Sequence, residues 1–157
     1  MARFARVRPY VCAGAGFLLA VLWFDLMHDV QVLRASRDSD AVSAVRSIAR
    51  YYRRVTTDAR PMNRLVALVM VATLAAIVAE IVRGDVPPWV AWTSLACALA
   101  PISLAARRTV RNAVALGADV DDLSVADEAV ARSIGRDHVF CLCSIAALLV
   151  VQLAGAG

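Results

Sequence analysis

Residues 65–82 read LVALVMVATLAAIVAEIV, eighteen residues in which Glu80 is the sole charge. A helix of about 20 mostly apolar residues matches the hydrocarbon thickness of a bilayer and satisfies its own backbone hydrogen bonds. This stretch therefore reads as a spanning helix, and three further apolar runs flank it. They are residues 11–24, extended by Leu26 and Met27; residues 89–106, interrupted by Pro101; and residues 139–156. The first run reaches spanning length only if its helix continues through Asp25, His28 and Asp29. With their flanks the spans are expected at roughly residues 10–33, 62–82, 88–106 and 138–156. The expected fold class is all-α: a four-helix transmembrane bundle, with an interfacial amphipathic helix between the first two spans, forming one integral membrane domain over residues 1–157.

Composition agrees. Hydrophobic residues make up 61% of the 157 residues and mean hydropathy is +0.65, more apolar than a soluble domain. That excess argues against a soluble enzyme, a disordered tail and a fibrous protein. All 17 basic residues are Arg. Residues 34–64 carry eight of them and residues 107–137 carry five, against Arg3, Arg6, Arg8 and Arg83 on the opposite side. Thirteen against four places both long connections in the cytoplasm, with the termini outside, in a bacterial plasma membrane. The three N-terminal Arg oppose that orientation. The basic start imitates a signal peptide, but Trp23, Phe24 and Asp25 stand where a small-residue cleavage site would, so a retained helix is expected.

The first connection contains a predicted helix over about residues 40–56, with Ser39 or Asp40 as its cap. Val42, Val45, Ile48, Ala49, Tyr52 and Val55 recur at helical spacing, and Arg46, Arg50, Arg53 and Arg54 fill much of the rest. Either this helix lies on the inner leaflet with its Arg meeting anionic head groups, or it packs on the bundle end with a solvated Arg face. Membrane lipids are thus expected partners; nucleic acid is not, because no aromatic or motif accompanies the charge. Pro61 suits a first helical turn. The short turn at residues 83–88 makes the second and third spans antiparallel neighbours, with Trp89 and Trp92 placed for an interfacial belt. The third helix is expected to run on to Leu116 and stop at Gly117. Asp119, Asp121 and Asp122 then read as a solvated acidic turn, and Ser124 with Asp127 as the start of a short helix through Ile134.

Alternating spans gather one polar pole: Asp25, His28, Asp29, Asn63, Arg64, Arg107, Arg108, Asp137, His138 and Cys141. Asp25, His28 and Asp29 share a helix face by their i, i+3, i+4 spacing, as do Asp137, His138 and Cys141; Cys143 points away from Cys141. Three readings follow. His28, His138, Asp29 and Cys141, with Asp25, are candidate ligands for zinc or non-haem iron. Asp25, His28, Asp29, Arg64 and His138 are candidate catalytic groups, with His as acid or base. Alternatively the acids pair with Arg64, Arg107 and Arg108 and fix the bundle. Glu80 reads as a surface ion pair with Arg83, or as a proton site. Cys12, Gly16 and Ala20 form a small-residue ridge for close helix packing, within the bundle or against another subunit. Cys97 reads as a packing residue, and the four Cys lack the spacing of a disulfide framework.

Arg60-Pro61-Met62-Asn63-Arg64 at the end of the basic connection, Pro101 and Asn112 around the end of the third helix, and Arg136 and His138 opening the fourth give the chain a layout that resembles the anthrone-oxygenase-like family of small four-helix membrane proteins. That resemblance implies oxidation of polycyclic aromatic substrates without an evident cofactor motif. The leading reading of function is an accessory subunit or scaffold that associates with other membrane subunits or with itself. A membrane oxidoreductase using the His28/His138 pole is the alternative, and a small transporter using Glu80 is the third.

Overall fold

The computed structural model describes residues 7–34, 39–118, 120 and 124–155. Six helices follow in order: α1 (Arg8–Arg34), α2 (Ser39–Arg53), α3 (Arg60–Arg83), α4 (Pro88–Leu104), α5 (Val110–Ala118) and α6 (Val125–Ala154), with no strand among the described residues. One π-type turn, Arg54–Asp58, closes α2; another, Ala105–Thr109, joins α4 to α5. Four stretches are long and apolar enough to cross a membrane: Arg8–Arg34, Pro61–Arg83, Pro88–Ala118 and Ala126–Ala154.

These four close into a ring in which α1 packs on α3 and α6, and α4 packs on α3 and α6. Val11, Ala15, Leu18, Ile77, Ala98, Ile145 and Leu148 form its core. Leu68, Val71, Val82, Leu99, Val150 and Leu153 face outward, while Thr73, Glu80, Ser94 and Gln152 are buried. An apolar exterior around polar interior groups is the polarity of a protein whose solvent is lipid. The chain is a membrane protein with an all-α, four-helix bundle fold.

A second core sits at one pole, built from Val32, Val45, Ile48, Ala49, Tyr52, Ala113, Leu116, Val120, Ala131 and Ile134. Val45, Ile48, Ala49 and Tyr52 recur at i, i+3, i+4 and i+7, the stripe of an amphipathic helix. That stripe lies on α5, α6 and the end of α1. The apolar face of this helix docks on the bundle end and covers protein, and Arg46, Arg50, Arg53 and Arg54 are exposed on the other side. The close approach of α2 to α5 depends on Gly117, where an added Cβ would stand 2.8 Å from the Arg53 backbone nitrogen.

Several boundaries differ from the sequence expectation. The helix that holds the fourth span starts well before residue 138, at Val125. The segment expected as a separate short helix is its N-terminal part, opened by Ser124, whose backbone N–H and hydroxyl both donate to Asp127 Oδ2 at 2.7 Å. Gly135 lies inside this helix because its missing side chain makes room for Leu33. Gly117 likewise is no stop; it lies within α5, which ends at Ala118. The helix of the first connection ends at Arg53 and passes into the π turn. Gly84 ends α3 at φ +64°, a left-handed conformation that costs glycine little. The acidic turn (Asp119, Asp121, Asp122), Arg3, Arg6 and the side chains of Ser39 and Asp40 lie outside the described residues.

The small-residue ridge is not the close contact inside the bundle. Gly16 and Ala20 are exposed and Cys12 is half-buried, and a Cβ on Gly16 would meet nothing within 4 Å. Gly14, on another face of α1, is the tight position, set against Thr73. The Thr73 hydroxyl donates to the Val69 carbonyl at 2.7 Å, which satisfies it inside the membrane.

Candidate functional site

Between the two cores lies a cavity of about 610 Å³. Its wall is mostly apolar: Leu18, Leu22, Val66, Met70, Ile102, Val110, Ala113 and Ile145 among others. A few polar groups converge on it, namely Asp25, Tyr51, Tyr52, Thr56, Asn63, Thr109, His138 and Cys141. Apolar walls with a few placed polar groups are the usual make-up of a small-molecule site. Both π turns contribute to the lining through Val55, Thr56, Ala105 and Thr109. Such turns add a residue to the helix and redirect the side chains that follow. Thr56 bonds its hydroxyl back to the Tyr52 carbonyl at 2.7 Å, and Asn63 Nδ2 donates to the Thr56 carbonyl at 2.9 Å, so the first π turn is tied at its middle residue to α2 on one side and α3 on the other.

Asp29 is the centre of the polar group. It is 1% exposed, with one oxygen accepting from the Tyr52 hydroxyl at 2.6 Å and the other 2.6 Å from His138 Nδ1. A carboxylate so placed accepts a hydrogen bond from Nδ1–H and leaves Nε2 as the unprotonated imidazole nitrogen, the tautomer a general base requires. Asp25 accepts from the Tyr51 hydroxyl at 2.6 Å. Burial first, and the adjacent carboxylates after it, push the Tyr51 and Tyr52 phenols above the ordinary tyrosine range, so both stay neutral donors. On the far side of His138, Asp137 accepts from Thr109 at 3.1 Å and lies 3.6 Å from Arg108 Nε.

The expected pole is therefore assembled in part. Asp25, Asp29 and His138 come together. His28 does not join them: its Nδ1 bonds the Phe24 carbonyl at 3.0 Å, and its ring stacks on Tyr51 with centroids 3.9 Å apart. Arg64 is exposed and does not line the cavity, and Arg107 is also exposed. Only Asp137 takes an Arg, so the ion-pair lattice is replaced by tyrosine and histidine donors. The metal set His28, His138, Asp29 and Cys141 is not brought together, since Tyr51 and Tyr52 enter from α2 and Cys141 turns to the Pro101 carbonyl. Among the described residues no three His, Cys, Asp or Glu side chains could hold a metal ion. Tyr51 and Tyr52 were missed as site residues because Tyr52 also fits the apolar stripe; the available signal is that a buried tyrosine hydroxyl demands a partner.

At the opposite pole, Glu80 is fully buried and does not pair with Arg83, which is exposed. Gln152 Nε2 donates to Glu80 Oε2 at 2.8 Å and to Ser94 Oγ at 3.0 Å, and Arg8 donates to the Gln152 carbonyl. All four spanning helices thus give one side chain to this cluster, which lines neither cavity. No family model, curated protein or solved structure matches the chain.

Proposed function

We propose that this membrane protein takes an apolar small molecule into the cavity between its two cores and acts on it by proton transfer through His138. The observation that carries the reading is the Asp29–His138 bond of 2.6 Å in the wall of a 610 Å³ apolar cavity. His138 Nε2 would accept a proton from an acidic C–H or O–H of the ligand. Asp29 would stabilise the imidazolium so formed, and Tyr52 holds Asp29 in place. The apolar wall selects a hydrophobic, ring-sized ligand drawn from the bilayer. The resemblance of the layout to anthrone-oxygenase-like proteins would favour a polycyclic aromatic ligand, and the Arg asymmetry favours a cytoplasmic position for the α2 pole.

Anthrone is a suitable probe, because its methylene C–H is acidic and its enolate reacts with dioxygen to give the quinone and water. Quinone formation should be followed in air, in proteoliposomes, against a protein-free blank. The wild type should exceed the blank, and H138Q should lose about 10²–10⁴-fold while still binding the probe. Equal rates in wild type, H138Q and D29N would sink the reading.

A second reading, an associating membrane subunit, is favoured by the outward Gly16–Ala20 face of α1. It predicts that G16L shifts the mass of the particle extracted in mild detergent. An unchanged monomer in both forms would remove it.

A further inference from the structure

A second concavity, of about 440 Å³, lies between α1 and α2 on the side of α2 away from the second core. It is lined by His28, Ser43, Arg46, Ser47, Arg50, Tyr51 and Arg54. The arginines stand at i, i+4 and i+8, with Ser43 and Ser47 on the adjoining strip, so one helix face presents three guanidinium groups to one hollow. Among the described residues no carboxylate lines it, and Arg46, Arg50 and Arg54 have no ion-pair partner. Its floor is fixed, because the His28 and Tyr51 rings stack at 10° and Tyr51 is tied by its hydroxyl to Asp25. Three like charges held around one hollow repel one another unless an anion sits among them. Guanidinium forks match phosphate oxygens in pairs, and the Ser47 hydroxyl can donate to an oxygen left over.

We propose that this hollow is a specific site for the phosphate head group of an anionic membrane lipid. Its position supports lipid as the source. It opens at the pole where Trp23 of α1 is exposed, a side chain that favours the membrane–water boundary. The hollow and the apolar cavity share Tyr51 as a wall, so a lipid bound by its phosphate here lies next to the cavity. The assignment stands independently of the chemistry of His138.

Arg53 provides the internal control. It carries the same charge on the same helix, is exposed, and does not line the hollow. The experiment reconstitutes the full chain in nanodiscs of phosphatidylcholine with a minority of phosphatidylglycerol and counts retained lipids by native mass spectrometry after mild delipidation. The wild type should retain phosphatidylglycerol in preference to phosphatidylcholine. R46Q, R50Q and R54Q should each reduce that preference about fivefold, R53Q should leave it unchanged, and S47V should reduce it without altering charge. H138Q should behave as wild type, which separates this site from the proposed proton transfer. An equal loss in R53Q would mean diffuse attraction to a basic surface and would overturn the site. Equal retention of the two lipids would overturn it as well, as would binding of inorganic phosphate alone with no lipid preference. Circular dichroism of each variant checks that the fold survives the substitution.

Discussion

Each pole of the bundle buries a carboxylate, Asp29 at one and Glu80 at the other, and the two are treated differently. Asp29 has both oxygens bonded, to Tyr52 and His138, and its partner His138 lines an open cavity. Glu80 has one oxygen bonded to Gln152 and lines neither cavity. Glu80 Oε1 and Gln152 Oε1 are both buried without a hydrogen-bond partner. The difference teaches that a buried acid becomes a candidate for chemistry through what stands beyond its partner. Beyond His138 there is room for a ligand; around Gln152 there are the four packed helices.

The strongest way to break this contrast is at the imidazole. H138Q should lower turnover of the probe by about 10²–10⁴-fold, whereas E80Q should leave it unchanged; a matching loss in E80Q would mean that the poles are coupled. Next in size is the roof of the open pole. G117A drives a methyl into the Arg53 backbone and should cost about 1–3 kcal/mol in thermal unfolding. Loss of α2 docking would appear at the same time as weaker probe binding.

Glu80 sharpens the other side. A carboxylic acid and a primary amide pair through two bonds, N–H to one oxygen and O–H to the other. Gln152 already supplies the first, and the two unpartnered oxygens are those that the second would join. Glutamine at position 80 offers the same two bonds. E80Q should therefore stay within about 0.5 kcal/mol of wild type, while E80A should lose about 1–3 kcal/mol by removing one of the two acceptors of Gln152 Nε2 and leaving a gap among the four helices. Equal damage from both would show that the charge itself matters.

Alkali tests the open pole through its two phenols. Tyr51 and Tyr52 hold their protons more tightly folded than unfolded. Their contribution to stability is complete below the ordinary tyrosine value of about 10 and is lost as pH rises above it. Unfolding midpoints should fall above that pH in wild type and fall less steeply in Y51F/Y52F, with tyrosinate absorbance from these two appearing only on unfolding. The smallest effect is expected on the outward ridge, where G16A should change monomer stability by less than about 0.5 kcal/mol.

Much of this architecture is legible in the chain. The spans follow from run length, because lipid leaves the backbone no alternative to a helix. The gathering of Asp25, Asp29 and His138 at one pole follows from alternation of the spans. Helix facing was also legible, as in the buried Cys141 against the exposed Cys143. The metal set and the Glu80–Arg83 pair were misread, since local spacing says which residues share a face and nothing about which helix fills the space opposite.

What the sequence determined alone is thus the class of fold, the number of spans and the pole at which ionisable groups meet, all set by the cost of polar groups in hydrocarbon. Tertiary structure decided the rest. It turned α2 inward on Gly117, delivered Tyr51 and Tyr52 to the two aspartates, and separated His28 from His138. It also left a cavity between two cores that no periodicity encodes, because a cavity is a property of how helices fail to touch.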